Sequence, residues 1–135
     1  MKVVFTNGCF DLLHYGHIKF LQEARKLGDM LIVGINSDDS VRGIKGKGRP
    51  IMKEDNRAEI LAELRCVDDV MIFEEDTPLN LIKDIMPDVL VKGGDWKKED
   101  VMGREYAKEV VIIPYLKGYS TTEIIKKCNL IKRKS

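Results

Sequence analysis

Apolar residues fall along this chain in short continuous bursts, and the stretches between them repeat at helical spacing. Val3-Val4-Phe5, Met30-Leu31-Ile32-Val33-Gly34-Ile35, Asp88-Val89-Leu90-Val91 and Val110-Val111-Ile112-Ile113 are rich in β-branched and aromatic residues. Such bursts suit strands buried on both faces. Cys66 to Phe73 adds a turn and one more strand. After the first burst, Ile18, Leu21, Ala24 and Leu27 share one helical face, while Lys19, Gln22, Glu23 and Lys26 face water. Arg57 to Leu64 repeats the helical period behind Glu54-Asp55, whose charges suit a helix N-terminus. Leu79 to Met86 forms a short helix, opened by Thr77-Pro78 and stopped by Pro87. A further helical stretch is predicted near 100–107. Ser120 and Glu123 form a capping box for a last helix. Residues 36–40 and the glycine-rich, basic 42–50 are predicted as loops, and the tail Lys132–Ser135 as frayed.

Strand, helix and strand in regular alternation predict a doubly wound, mostly parallel α/β sheet in a single domain over residues 1–135. Composition agrees: 44% hydrophobic and 33% charged residues describe a soluble globular chain. The formal charge of +1 argues against bulk attraction to nucleic acid or membrane, so any anion site must be local. No signal-peptide pattern or long apolar run is visible. Three widely spaced cysteines suit reduced thiols in a cytoplasm. Cys9 has no basic neighbour in sequence to stabilise a thiolate.

The chemistry concentrates where the first strand hands over to the first helix. Thr6-Asn7-Gly8-Cys9-Phe10-Asp11-Leu12-Leu13-His14-Tyr15-Gly16-His17 places two glycines and two histidines at a helix N-terminus. Free N–H groups there attract phosphate, and Gly16 removes a Cβ that would block close approach. The stretch matches neither Gly-x-x-x-x-Gly-Lys-Ser/Thr nor Gly-x-Gly-x-x-Gly. Zinc would want a third ligand nearby, and none is visible.

Gly8-x-Phe10-Asp11-x-x-His14-x-Gly16-His17 resembles the signature of the cytidylyltransferase-like nucleotidyltransferases, and the resemblance covers nearly the whole chain. It implies a Rossmann-like five-stranded sheet in the order 3-2-1-4-5, with the site between the first and fourth strands. It also implies transfer of a nucleoside monophosphate from a triphosphate to a phosphorylated acceptor. On the matching positions it makes His14, His17 and Lys45 catalytic, with Lys47 as a second loop lysine. Thr6, Asn7, Gly8, Cys9, Phe10 and Gly16 are then nucleotide contacts from the signature. Lys92, Gly93 and Asp95 add contacts from a glycine-rich turn. Tyr115, Gly118, Ser120, Thr121 and Thr122 add those from the last crossover. Asp11, Asp38 and Arg57 are expected at the acceptor, although Arg57 also reads as a surface ion pair with Glu54 or Asp55. Trp96 reads equally as a stacking ring or as cover for the sheet edge.

Lys92-Gly93-Gly94-Asp95, Gly118-Tyr119-Ser120-Thr121-Thr122 and Phe73-Glu74-Glu75-Asp76-Thr77-Pro78 resemble the branch that adenylylates D-glycero-β-D-manno-heptose 1-phosphate, in its stand-alone form. That branch implies ATP as donor, ADP-heptose and pyrophosphate as products, Mg²⁺ with the triphosphate, and a homodimer. Two alternatives stand beside it. One is a glycerol-3-phosphate cytidylyltransferase, whose relatives usually carry an arginine where this chain has Tyr115. The other is a nucleotide-binding regulator without turnover.

Overall fold

A computed structural model describes residues 1–134. Its centre is a five-stranded parallel sheet: β1 (Val3–Gly8), β2 (Met30–Asn36), β3 (Asp69–Phe73), β4 (Val89–Gly93) and β5 (Glu109–Ile113), in the order β3-β2-β1-β4-β5. The apolar bursts are these strands, and the order is the one the family resemblance implies. Because side chains alternate across a strand, each burst feeds both faces. Val4, Leu31, Val33, Ile35, Val89 and Val91 face one core, filled by Phe20, Leu21 and Ala24 of α1 (Tyr15–Arg25) and Leu61 of α3 (Glu54–Ala62). Phe5, Ile32 and Leu90 face the other, closed by Ile82 of α4 (Leu79–Ile85) and by Val101.

Carboxylates staple the amino edge of the sheet. Asp29 accepts from Lys2 N, Asp88 from Val3 N and Asp68 from Leu31 N, at 2.7–2.8 Å. Each satisfies a backbone donor at a strand entrance.

One loop and one helix expectation are corrected. Residues 38–45 form helix α2 (Asp38–Lys45) rather than open loop. Ser37 Oγ accepts from Ser40 N at 3.1 Å, and Asp38 and Asp39 lie in the positive first turn. Gly43 is tolerated because its face is open, and Gly46, at φ +89°, ends the helix. The glycine-rich loop therefore begins only at Gly46. The helix expected near 100–107 is two three-residue 3₁₀ turns, Lys98–Asp100 and Arg104–Tyr106, separated by Gly103 at φ +92°. Helix α5 (Thr121–Lys134) follows β5. Its backbone is helical through most of the tail expected to fray; Ser135 lies outside the described residues.

Candidate active site

A cavity of about 250 Å³ opens at the carboxyl edge of the sheet, where β1 and β4 end and the strand order reverses. That is where open α/β sheets bind ligands. The signature loop forms its floor through an unusual backbone path. Phe10 and Leu12 both take positive φ, 49° and 54°. A Cβ on Gly8 would lie 2.9 Å from the Phe10 ring. Glycine there lets Phe10 fold back into the core, where it packs against the His17 ring at 5.2 Å. Phe10 thus buttresses the histidine pair as well as lining the cavity.

His14 is the N-cap of α1, an unusual residue for that position. Its Nδ1 accepts from Gly16 N at 3.1 Å, and His17 Nδ1 accepts from His14 N at 3.2 Å. The reciprocal arrangement has the logic of a capping box. It also fixes the tautomers: with Nδ1 accepting, each neutral ring carries its proton on Nε2. The rings stack with centroids 3.8 Å apart. Burial, helped by the His14 charge, pushes the His17 pKa down to about 4; burial also lowers that of His14. Two neutral imidazole N–H donors are therefore held side by side above a helix N-terminus. Gly16 serves this packing. Its Cβ would sit 2.9 Å from both the His14 ring and Tyr119 Cβ, so its glycine makes room for protein rather than for phosphate alone.

Lys45, at the end of α2, lines the cavity from the β2 flank. Lys92 and Gly93 line it from the β4 flank. Burial lowers the Lys92 pKa, and its Nζ lies 4.8 Å from the centre of the Trp96 ring. Trp96, 48% exposed, is therefore no core residue. The Tyr115 ring lies over the Gly93–Gly94 backbone, where a Gly93 Cβ would meet it at 2.7 Å. Ser120, Thr121 and Thr122 enter at the start of α5, with Ser120 Oγ accepting from Glu123 N at 3.0 Å. The Thr121 hydroxyl donates to Asp11 O, tying α5 to the signature loop across 110 residues of sequence. Asn7, Gly8 and Cys9 also stand on the wall. Lys45, Arg57 and Arg49 do approach Cys9, yet burial outweighs them and raises its thiol pKa.

Other expected site residues lie elsewhere. Thr6 is fully buried and donates to Val91 O at 2.9 Å, a link between β1 and β4. Lys47, Asp95 and Gly118 do not reach the cavity wall. Arg57 is neither a surface ion pair nor a cavity residue. At 1% exposure, its guanidinium donates to Met52 O, Cys9 O, Asn36 O and Asp38 Oδ1 at 2.8–2.9 Å. Asp38 is taken up by that bond and by Glu54 N. Asp11 lies on the wall, but its carboxylate accepts from Ile51 N and Met52 N at 2.7 and 2.9 Å. Sequence reasoning passed over Arg49, Phe20, Leu116 and Tyr119, all of which line the cavity. Phe20 could have been found three residues after His17, on the same face of α1.

Among the described residues, no cluster of three His, Cys, Asp or Glu side chains gathers as a metal site. No described helix is long and apolar enough to cross a membrane, and the three cysteines are free.

Comparison with known proteins follows the same lines. The family model described as cytidylyltransferase-like matches residues 5–127. The bifunctional protein HldE of Helicobacter hepaticus is 61% identical over 93% of this chain, and that of Campylobacter concisus is 60% identical over 93%. The chain spans about a quarter of the length of these relatives: 26% and 27%. The crystal structure of a lipopolysaccharide core biosynthesis protein from Thermoplasma volcanium superposes with a TM-score of 0.73. It is 31% identical, and the match covers 89% of this chain and 99% of that one. With its His14–Gly16–His17 turn at the mouth of a β3-β2-β1-β4-β5 sheet, the chain belongs to the cytidylyltransferase-like family of nucleotidyltransferases.

Proposed function

We propose that this chain transfers AMP from ATP to a sugar 1-phosphate, D-glycero-β-D-manno-heptose 1-phosphate, releasing pyrophosphate and ADP-heptose. The observation that carries the proposal is the stacked histidine pair: both rings line one cavity with Lys45, and with each Nδ1 accepting a backbone N–H, each neutral ring keeps its proton on Nε2. A phosphate oxygen of the acceptor is already a nucleophile, so no strong base is needed. It attacks the α-phosphorus in line; the new P–O bond forms as the bond to pyrophosphate breaks. What the protein supplies is position and stabilisation of charge on the five-coordinate phosphorus and on the leaving group. His14 and His17 donate to the transferred phosphate, Lys45 offsets the growing charge, and the hydroxyls at the start of α5 receive the departing phosphates.

Mg²⁺ would arrive on the triphosphate's own oxygens. No residue here is assigned to it, and no step depends on its geometry. Adenine is proposed to sit beside the Gly93–Gly94 turn and the Tyr115 ring that packs over it; Gly94 N is spent on Ile113 O, so other peptide groups nearby would serve as its donor and acceptor. The sugar is supported by the resemblance of Lys92–Asp95 and Gly118–Thr122 to the heptose branch, and by a neighbour described as a lipopolysaccharide core biosynthesis protein.

The test is product identification. ATP with the heptose 1-phosphate should yield ADP-heptose by mass spectrometry and one pyrophosphate per turnover. CDP-glycerol formed efficiently from CTP and glycerol 3-phosphate, with no ADP-heptose, would replace the substrate pair. No pyrophosphate with either pair would favour the non-catalytic regulator.

A further inference from the structure

The acidic and basic residues expected to hold the acceptor are committed to the scaffold. Arg57 and Asp38 bind backbone and each other, and Asp11 anchors Ile51 N and Met52 N. One member of this cluster is not used up. Arg49 spends only its Nε, on Asp11 Oδ2 at 3.3 Å, and its side chain keeps 16% exposure on the cavity wall. Its two terminal nitrogens have no hydrogen-bond partner among the described residues. No unpartnered polar side-chain atom there is sealed from solvent, so both nitrogens are open to a ligand.

We propose that Arg49, held on Asp11 through Nε, presents its terminal nitrogens as the fork that receives the acceptor's phosphate monoester. Two observations support this, and the first chooses the acceptor over the triphosphate. That first is place. Lys92 and Gly93 end β4 and Tyr115 follows β5, whereas Arg49 follows α2, the helix that leaves β2; β1, which leads into the histidine pair, lies between β2 and β4 in the sheet. In-line transfer puts the entering and leaving groups on opposite sides of the α-phosphorus. With nucleoside and leaving pyrophosphate accounted for by the β4–β5 flank and the start of α5, the entering phosphate falls to the β2 flank. The second is form. A guanidinium fixed at one end has its two remaining nitrogens in one plane, which suits two oxygens of a terminal phosphate. The Asp11 carboxylate that orients Arg49 belongs to the signature loop, and its backbone carbonyl accepts from Thr121. Acceptor and leaving-group sites are thus braced by one residue.

This role presupposes the nucleotidyl transfer proposed above, and the experiment separates the two. Pyrophosphate release is followed for the wild type, Arg49→Gln and Arg49→Lys, varying heptose 1-phosphate at saturating ATP, and again with glycerol 3-phosphate and CTP. Binding of a non-hydrolysable ATP analogue without acceptor is measured alongside. In Arg49→Gln the acceptor KM should rise about tenfold or more, as for loss of a charge-assisted bond. The Kd of the ATP analogue should stay within about twofold, and Arg49→Lys should recover part of the acceptor KM. Asp11 keeps both backbone donors in either variant, so the fold should persist. An unchanged acceptor KM in a folded Arg49→Gln overturns the inference. So does a rise in the analogue's Kd as large as the rise in acceptor KM, which would move Arg49 to the triphosphate. A wild type that releases no pyrophosphate with either pair overturns the proposed function itself, and Arg49 with it.

Discussion

At the scale of single residues, the site is made by two backbone N–H groups that each bind a histidine Nδ1. The pair is neutral because charging either ring in this half-buried stack is costly. Replacing His17 by Ala removes one donor to the transition state, so kcat should fall roughly a hundredfold or more while the protein stays folded. Steady-state kinetics on a variant with an intact thermal transition checks this; near-normal turnover would contradict it. The same ring predicts a pH dependence of stability. Its folded pKa, about 4, lies below the ordinary 6.5, so between those values the unfolded chain binds more protons. Stability should be full above about pH 6.5 and fall as pH drops toward 4, by on the order of 2–3 kcal/mol. Urea unfolding at several pH values should show this slope in the wild type and a much flatter one in His17→Asn. The histidines were legible in sequence because their spacing is local. Their tautomers were not, since those depend on which backbone N–H each ring meets.

At the scale of elements, Arg57 is the strut between the signature loop, the end of β2 and the entry to α3. Removing it takes the guanidinium donor from three carbonyls and the cation from Asp38, which keeps only Glu54 N. Arg57→Ala should therefore cost about 3–5 kcal/mol, read by denaturant unfolding; a loss below about 1 kcal/mol would contradict the strut. Its sequence neighbours Glu54 and Asp55 suggested a surface pair, because nothing local signals contacts 21 and 48 residues away. Helix α2 was missed for another reason. Its N-terminal signals, Ser37 followed by Asp38 and Asp39, were present, but Gly43, Gly46 and Gly48 made the whole stretch look like loop. The corrected boundary confines the expected ordering on binding to the residues after Gly46. Hydrogen exchange should show the last turn of α2, including Gly46 N bonded to Arg42 O, already protected in the free protein, while amides of 47–49 gain protection when triphosphate and acceptor bind. Equal exchange in 47–49 with and without ligands would contradict ordering of this loop on binding.

For the whole molecule, the apolar bursts determine a parallel sheet, and two faces of alternating side chains require helices on both sides. That much follows from the order of elements along the chain. The strand order came from the family resemblance rather than from any pattern of residues, and the sheet bears it out. What sequence could not show is how the flanks share the work. Bonds such as Thr121 to Asp11 and Arg49 to Asp11 join segments 110 and 38 residues apart. They alone reveal that the start of α5, the signature loop and the strap after α2 meet over one cavity. By the proposed function, this cavity prefers ATP and a sugar 1-phosphate over CTP and other acceptors. The most direct measurement is the ratio of kcat/KM for ATP and CTP with heptose 1-phosphate as fixed acceptor. A ratio favouring ATP by tenfold or more is expected, since a base held by buried hydrogen bonds leaves polar groups unpaired when exchanged. A ratio favouring CTP would contradict the adenylyl assignment.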